Sequence, residues 1–310
     1  MAHDIQIVRS VKTGAVVDEI VTRLESELSM ATGWPLSGHK SSLVQKLARR
    51  GFIFTRVKRR AVLMVMMGTY RIPLNAADWL SAETPRAAWL FDAWPNSHDD
   101  LCRFVAQYRL THLFVTALQA AETLSQKLDQ CHVEWVPEPL VDIGFLPVPW
   151  SERDNLVIQF GRRYDLYHDA LLAGMKGDRF AYRFEQTKGD VLFKDAKAFV
   201  EALGKAKVSV CFPCNLTHPD RAGGVSTMTQ RFLQSMASGC VIVGQSPPEM
   251  IKEFGYDPVV SADMDDPAGQ IERILGSPNE YLALIDRNLE TARSQRVDSR
   301  VRVFSDSLHL

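Results

Sequence analysis

Residues 229–244, TQRFLQSMASGCVIVG, place an amphipathic helical pattern directly before a short apolar run. Apolar residues at helical spacing predict a helix with one buried face. The helical pattern ends at Gly239, and glycine is common just past a helix C-terminus. The run CVIVG then predicts a buried strand. A helix followed at once by a buried strand is typical of α/β proteins with parallel sheets.

The same alternation continues along most of the chain. Helical patterns separate the apolar runs, and an earlier strand and helix are predicted within residues 5–28. Residues 215–224 are predicted to form a polar loop, and a long helix is predicted from about Asn279. The strand-like runs are AVLMVMMG (61–68), AAWLFDAW (87–94), THLFVTAL (111–118), VEWVPEPLV (133–141), NLVIQFG (155–161), AYRFEQT (181–187), KVSVCFP (207–213) and DPVVSA (257–262). The fold class is therefore predicted to be α/β.

A proline cluster interrupts the alternation at residues 136–150, VPEPLVDIGFLPVPW. Proline lacks a backbone donor and is disfavoured inside strands and helices, so this segment is predicted to link two domains. The domains are predicted over residues 1–145 and 146–310, with the terminal helix packing back on the first. Ligands of such sheets bind at the carboxyl ends of the strands.

Composition excludes several classes of protein. The 310 residues carry a net charge of −1 and are 46% hydrophobic, which indicates no bulk attraction for nucleic acid. No apolar segment has the length of a signal peptide or a membrane span, so we expect a cytoplasmic protein. The five cysteines are odd in number and scattered, which argues against a disulfide framework.

Four segments resemble GT-B glycosyltransferases, in particular the group 1 type and its spore-maturation-protein-like relatives. One of them, residues 112–142, is similar to the last helix and strand of the family's acceptor domain before its linker. Residues 234–244, QSMASGCVIVG, are similar to the family's "E-A-M-A-x-G" segment and the strand behind it. Residues 158–172, IQFGRRYDLYHDALL, resemble the family's "G-R" segment, and residues 199–213 resemble the helix and strand before its donor loop. The resemblance extends over residues 87–295. It implies two Rossmann-like domains facing across a cleft, and a nucleotide-sugar donor bound by the second.

The resemblance also implies a donor site built from arginines and a helix N-terminus. Arg162 takes the place of the family's diphosphate contact, and Arg231 matches an arginine that spore-maturation-like members carry on the donor helix. Gln234 and Ser226 stand where the family has its paired glutamates, so both acids are replaced here. The predicted donor-binding residues are Arg162, Arg163, Gly224, Ser226, Thr227, Arg231 and Gln234.

Breaking a sugar–diphosphate bond places negative charge on the leaving group, and arginines with a helix N-terminus can stabilise that charge. The resemblance therefore implies neither an obligatory metal nor a cofactor. Asp263-Met264-Asp265 is the Asp-x-Asp run that could be considered as a metal site for the diphosphate. It precedes a predicted helix and is interpreted as the cap of that helix.

An inverting transfer also needs a general base for the acceptor hydroxyl. Asp92, at the end of the strand-like run 87–94, is the best-placed candidate. His98 and Asp99, at the start of the next helix, are further candidates. A turn or a helix cap is the alternative role for each of the three. His218 and Asp220 could reach the sugar or the acceptor from the predicted polar loop.

Cys211 and Cys214 form a CxxC pair with His218 nearby. A redox motif of this spacing should open a helix, and a zinc site needs a fourth ligand that the sequence does not offer. Cysteines that pack the end of a buried strand are the favoured interpretation.

Residues 45–60, QKLARRGFIFTRVKRR, mix seven basic residues with apolar ones and contain no acid. This pattern suits an anionic membrane surface or an anionic glycan. A merely solvated basic face and a nucleic-acid contact are the alternatives, of which nucleic acid is the least favoured.

Two functions from different classes remain, and a nucleotide-sugar epimerase or hydrolase on the same fold is a third, less favoured one. The favoured one is a cytoplasmic glycosyltransferase, peripheral on the inner face of the membrane, that transfers a sugar from a nucleotide-sugar donor onto a glycan or lipid-linked acceptor in polysaccharide biosynthesis. The alternative is a non-catalytic GT-B-like module that binds a nucleotide sugar or a glycan, and the replaced acids at Ser226 and Gln234 support it.

Overall fold

The computed structural model describes residues 5–10, 17–37, 40–52, 62–186 and 192–308. The described chain forms two compact units. The first comprises Met1–Val141, Arg221–Val225 and Val297–Leu310, and the second comprises Asp142–Asp220 and Ser226–Arg296.

The first unit alternates strands and helices from its start, with the last helix contributed by the C-terminal end of the chain. Its elements are β1 (Gln6–Val8), α1 (Val17–Thr32), β2 (Leu36–Ser37), α2 (Ser42–Arg49), β3 (Val62–Met67), α3 (Ala76–Ser81), β4 (Arg86–Phe91), α4 (His98–Tyr108), β5 (His112–Val115), α5 (Leu118–Lys127), β6 (His132–Trp135) and the final helix α14 (Asp298–Ser307).

The second unit repeats the alternation. Its elements are β7 (Asp154–Ile158), α6 (Asp165–Gly174), β8 (Ala181–Arg183), α7 (Ala196–Lys205), β9 (Ala206–Cys211), α8 (Cys214–Thr217), α9 (Pro219–Ala222, whose last two residues belong to the first unit), α10 (Gln230–Ala237), β10 (Val241–Gly244), α11 (Pro248–Phe254), β11 (Val260–Ser261), α12 (Pro267–Gly276) and α13 (Leu282–Ser294).

Both sheets are parallel throughout the described strands. The first has the order β2-β1-β3-β4-β5-β6, and the second has the order β11-β10-β9-β7-β8. In each sheet the strand order reverses once, between β1 and β3 and between β7 and β9. Crevices for ligands form at such reversals, at the carboxyl ends of the strands. The predicted α/β fold with two parallel sheets is confirmed.

The cores explain why most strand-like runs are continuously apolar. In β7, Val157 faces a cluster with Tyr167 of α6, whereas the adjacent Ile158 faces a different cluster with Leu203 of α7. Successive side chains of a strand point to opposite faces, so both faces of this sheet are covered.

The last helix contributes to the core of the first unit. Phe304 of α14 is fully buried, and its ring lies 5.0 Å from that of Trp89 and 4.8 Å from that of Phe114. Val297 and Leu308 belong to the same cluster.

Two sequence predictions about loops and helices were wrong. The predicted polar loop at 215–224 contains most of the short helix α8 and all of α9; Pro219 is the first residue of α9, a position at which proline favours a helix start. The predicted long terminal helix is two helices, α13 and α14. The break between them lies where Arg296 ends the second unit and Val297 enters the core of the first.

The basic segment 45–60 is only partly described. Lys46 and Arg49 are exposed on α2, and Phe52 is exposed after it. Residues 53–60 lie outside the described residues. Among the helices that the structure describes, none combines the length and the apolar character that a membrane span requires.

Candidate functional site

Arg231 lies at the reversal of strand order in the second unit. Its Nη1 donates to the carbonyl oxygen of Arg162 at 2.8 Å, and its Nη2 donates to the carbonyl oxygen of Phe212 at 3.0 Å. Arg162 follows β7 and Phe212 follows β9, so one guanidinium joins the two strand ends that border the crevice. Arg231 is only 8% exposed, and hydrogen bonds from a charged group are stronger than neutral ones.

The backbone before Arg162 is shaped for this approach. Gly161 has φ +71°, a left-handed conformation that glycine adopts without steric cost. A Cβ placed on Gly161 would lie 3.0 Å from Cδ of Arg231. The glycine of the "G-R" pair therefore provides both the turn after β7 and the space for the Arg231 side chain.

Helix α10 begins beside this crevice. Thr229 is its N-cap residue, with φ −129° and ψ 165°, and within the described residues its side chain makes no capping hydrogen bond. The N-terminus of a helix carries a partial positive charge that favours anions. Gln234 follows Arg231 by nearly one turn on the same helix and is buried.

The loop before α10 is held by a carboxylate that the sequence analysis did not single out. Glu249 of α11 accepts hydrogen bonds from the Thr227 hydroxyl at 2.7 Å and from the Met228 N–H at 2.6 Å. Ser226, Thr227 and Glu249 are all buried. The predicted donor residue Thr227 thus directs its hydroxyl to another residue of the same unit.

Arg163 lies beside Arg162 but has a different set of partners. Its Nε donates to Asp165 at 2.7 Å, and its Nη1 lies 3.4 Å from the Glu185 carbonyl oxygen. The hydrogen bond to Asp165 raises the pKa of the Arg163 guanidinium. The structure therefore brings Arg162 and Arg231 into contact, while Arg163 is anchored to α6 and to the chain after β8.

An aromatic and polar cluster lies behind Arg163. His168 of α6 is 2.9 Å from the Tyr182 hydroxyl, and that hydroxyl donates a very short hydrogen bond to Oε1 of Gln159. Burial lowers the pKa of His168 and raises the pKa of Tyr182. The predicted sites did not include this cluster, because its members belong to separate strands and helices.

In the first unit, Asp92 directly follows β4. It has φ +58°, which is uncommon for a residue other than glycine and often marks a functional position. Its carboxylate accepts a hydrogen bond from Nη2 of Arg221 at 3.0 Å, and the Arg221 guanidinium lies 5.6 Å from the centre of the Trp94 ring. Because Arg221 is far away in the sequence, spacing alone could not have indicated this ion pair.

His98 begins α4 and is buried. Its Nε2 is 3.1 Å from the carbonyl oxygen of Ala93, and a carbonyl can only accept, so this nitrogen carries the proton. Burial lowers the pKa of His98. The imidazole is therefore a buried neutral donor to the segment that follows Asp92. Asp99 is exposed and lies 3.5 Å from Nζ of Lys127.

Gly224 belongs to the segment Arg221–Val225, which packs with the first unit. The other predicted donor residues belong to the second unit. His218 has its Nδ1 at 3.2 Å from the hydroxyl of Thr217, and Asp220 is exposed in α9.

The Asp263-Met264-Asp265 run is engaged in local hydrogen bonds. The Asp263 carboxylate accepts the N–H groups of Asp265 at 3.1 Å and Asp266 at 3.0 Å, which lowers its pKa. Asp266 is the N-cap of α12, and Arg273 lies 3.1 Å from both Asp263 and Asp266. Within the described ranges, no group of three His, Cys, Asp or Glu side chains is arranged to hold a metal ion.

Cys211 and Cys214 are completely buried. The Cys211 sulfur lies 3.6 Å from the Ser209 hydroxyl and 3.7 Å from the Ser235 hydroxyl, and burial raises the pKa of its thiol. A buried thiol of raised pKa is a poor nucleophile.

Several solved structures share this architecture over the whole chain. The DNA-modifying enzyme β-glucosyltransferase, studied with and without uridine diphosphoglucose, has a TM-score of 0.59, with 11% identity over 99% of this chain and 99% of its own. HepE of Anabaena, in complex with UDP and glucose, has a TM-score of 0.61, with 8% identity over 98% of this chain and 99% of its own. The α/β fold with two parallel sheets is similar to that of these GT-B structures. Sucrose-phosphate synthase of Thermosynechococcus elongatus has a TM-score of 0.63, with 11% identity over 99% of this chain and 98% of its own.

No protein-family model matches the sequence, and no curated protein sequence matches it either. Identities of 8 to 11% to the solved structures show the fold alone. Proteins of one fold differ in function through the residues of their sites, here those at the strand ends.

Proposed function

We propose that the chain is a glycosyltransferase that transfers a sugar from a nucleotide-sugar donor onto a glycan or lipid-linked acceptor. The observation that carries the proposal is Arg231, whose buried guanidinium spans the two strand ends at the reversal of the second sheet. This is the position at which open α/β sheets bind ligands, and it lies at the start of a helix.

On this proposal the donor diphosphate lies against Arg162, Arg231 and the N-terminus of α10. The acceptor hydroxyl oxygen attacks the anomeric carbon while the bond from that carbon to the diphosphate oxygen breaks. The electron pair of the broken bond stays on the diphosphate, where the two guanidiniums and the helix N-terminus stabilise it. These groups supply positive charge without a metal ion.

If the transfer inverts the anomeric centre, Asp92 is the proposed base that takes the proton of the acceptor hydroxyl. Its position after β4 and its left-handed backbone favour it over His98. His98 is buried, and its protonated nitrogen already donates to Ala93.

Uridine nucleotides are the first probes to try, because the solved β-glucosyltransferase and HepE structures contain UDP-glucose or UDP. The basic residues of α2 support a peripheral contact with an anionic membrane or glycan. Membrane association would be tested by vesicle flotation with and without anionic lipid.

The experiment that tests the donor site is a thermal-shift screen against UDP, GDP, ADP, CMP and dTDP, with and without magnesium. A nucleotide at about a hundredfold excess over its dissociation constant should stabilise the fold by roughly 2.7 kcal/mol. Arg231→Lys should lose most of this shift, because an ammonium cannot span both strand ends as a guanidinium does. Arg179→Lys is the matched control, since Arg179 forms an exposed ion pair with Glu272 in the same unit.

A nucleotide shift without sugar transfer or hydrolysis would favour the second candidate, a non-catalytic nucleotide-sugar or glycan-binding module. Gln234 and Ser226, which replace the family acids, are the observation in favour of that candidate. No shift with any nucleotide, with wild-type protein folded, would refute the proposed donor site.

A further inference from the structure

The loop at residues 226–229 connects the segment Arg221–Val225 to α10, and it contains neither helix nor strand. A carboxylate from α11 satisfies its polar groups. Glu249 is only 3% exposed, and a single oxygen, Oε1, accepts both the Thr227 hydroxyl and the Met228 N–H. A buried carboxylate is costly unless donors compensate for its lost hydration. Packing alone therefore does not explain why a carboxylate is buried at residue 249.

The turn that presents Glu249 is rigid. Gly244 ends β10, and a Cβ at this position would lie 1.8 Å from the carbonyl oxygen of Cys211, so only glycine fits. Pro247 and Pro248 follow, and proline restricts the backbone. Glu249 then stands in the first turn of α11, where a helix N-terminus favours negative charge. The turn before α11 thus fixes the position of the Glu249 carboxylate, and the N-terminus of α11 stabilises its negative charge.

The loop that Glu249 holds ends at the N-cap of α10, two residues before Arg231. Thr229 makes no side-chain cap within the described residues, so the entry of the chain into α10 depends on the residues before it. Met228 is the last of these, and its N–H is one of the two donors to Glu249.

We propose that Glu249 is a positioning residue of the donor site. It does not contact the donor; it fixes residues 226–229 so that the start of α10 and the Arg231 guanidinium meet the diphosphate in a preformed geometry. This inference rests on the proposed function. On this inference Thr227 binds Glu249 and does not contact the ligand. The two residues therefore act as a unit.

The variants Glu249→Ala, Glu249→Gln and Thr227→Val test this role, and Glu253→Ala, one turn later on α11, is the matched control. UDP affinity is measured by titration calorimetry. Glu249→Ala should weaken UDP binding at least tenfold. Glu249→Gln should stay within about threefold, since an amide oxygen can accept the same two bonds. Thr227→Val added to Glu249→Ala should cost less than it does alone, because both changes remove one shared contact.

Hydrogen exchange of residues 226–232 gives a readout that needs no ligand. Faster exchange confined to this segment in Glu249→Ala, but absent in Glu253→Ala, supports the inference. Wild-type exchange together with wild-type UDP affinity in Glu249→Ala overturns it. If Glu249→Ala does not fold, Thr227→Val decides by the same two measurements. If wild-type protein binds no nucleotide, the proposed function fails, and unchanged exchange in the variants would then refute the loop-fixing role as well.

Discussion

Replacing Asp92 by glycine separates what its backbone contributes from what its side chain contributes. The residue has φ +58°, and the left-handed conformation costs an L-amino acid about 1 to 2 kcal/mol, with aspartate toward the low end. Glycine adopts it without that cost. The backbone alone therefore predicts that Asp92→Gly stabilises the first unit by about 1 kcal/mol.

Loss of the side chain acts in the opposite direction. The ion pair with Arg221 has an N–O distance of 3.0 Å, with the two side chains 24% and 48% exposed. Partly exposed pairs of this kind contribute roughly 0.2 to 1 kcal/mol. The two effects oppose each other, so the net change in unfolding free energy should lie between about zero and about 0.8 kcal/mol of stabilisation. The expected rise in melting temperature is at most about 4 °C.

Activity should respond very differently. A general base contributes about 10²–10⁴-fold to the rate, so if Asp92 is the base that we propose, Asp92→Gly should lose sugar transfer while UDP binding is unchanged. Asp92→Asn is the control, because asparagine tolerates the left-handed conformation but is a much weaker base. Thermal denaturation and a transfer assay on both variants complete the experiment. Destabilisation by more than about 2 kcal/mol in the glycine variant would refute the strain argument, and full activity in the asparagine variant would refute the assigned base.

Two further predictions concern stability. Arg153 is buried and donates to three backbone carbonyls at 2.6 to 3.0 Å, so Arg153→Met should destabilise the second unit by about 3 kcal/mol or more. Replacement of the exposed Arg179 by Met should change the free energy of unfolding by less than about 0.5 kcal/mol, and urea denaturation of the two variants checks both values. The pKa of His98 is lower in the folded protein than the roughly 6.5 of an unfolded imidazole, so the unfolded state binds more protons and stability should fall as the pH drops from about 7 to 5. His98→Gln should reduce this slope in pH-dependent melting curves, and an unchanged slope would contradict the burial argument.

The sequence predicts most clearly the strands with long apolar runs and the helices with a capping residue. The β3 run VLMVMM and helix α12 could be predicted because their patterns are long or capped. The two-residue strand β2 could not, because two residues show no periodicity. The break between α13 and α14 could not either, since it depends on the burial of Val297 in a distant core.

The residues of the candidate site show the same contrast between local patterns and distant contacts. Arg162 and Arg231 were predicted from the family resemblance, and in the structure the Arg231 guanidinium donates to the Arg162 carbonyl oxygen. Glu249 and Arg221 were missed as site residues because each acts on a residue far away in the sequence: Glu249 on Thr227 and Arg221 on Asp92. Such pairs become visible only once the strand order is known.

The return of the chain at Val297 determines the order in which the two units can be completed. The second unit is nearly contiguous, and all of its residues are available as soon as synthesis has passed Arg296. The first unit begins before the second in the chain but lacks Phe304 and Leu308 until after the second unit has been synthesised. Until that point Trp89 and Phe114 have no aromatic partner from α14. Incomplete cores expose apolar surface and favour aggregation. During synthesis, the first unit should therefore depend more on chaperones than the second.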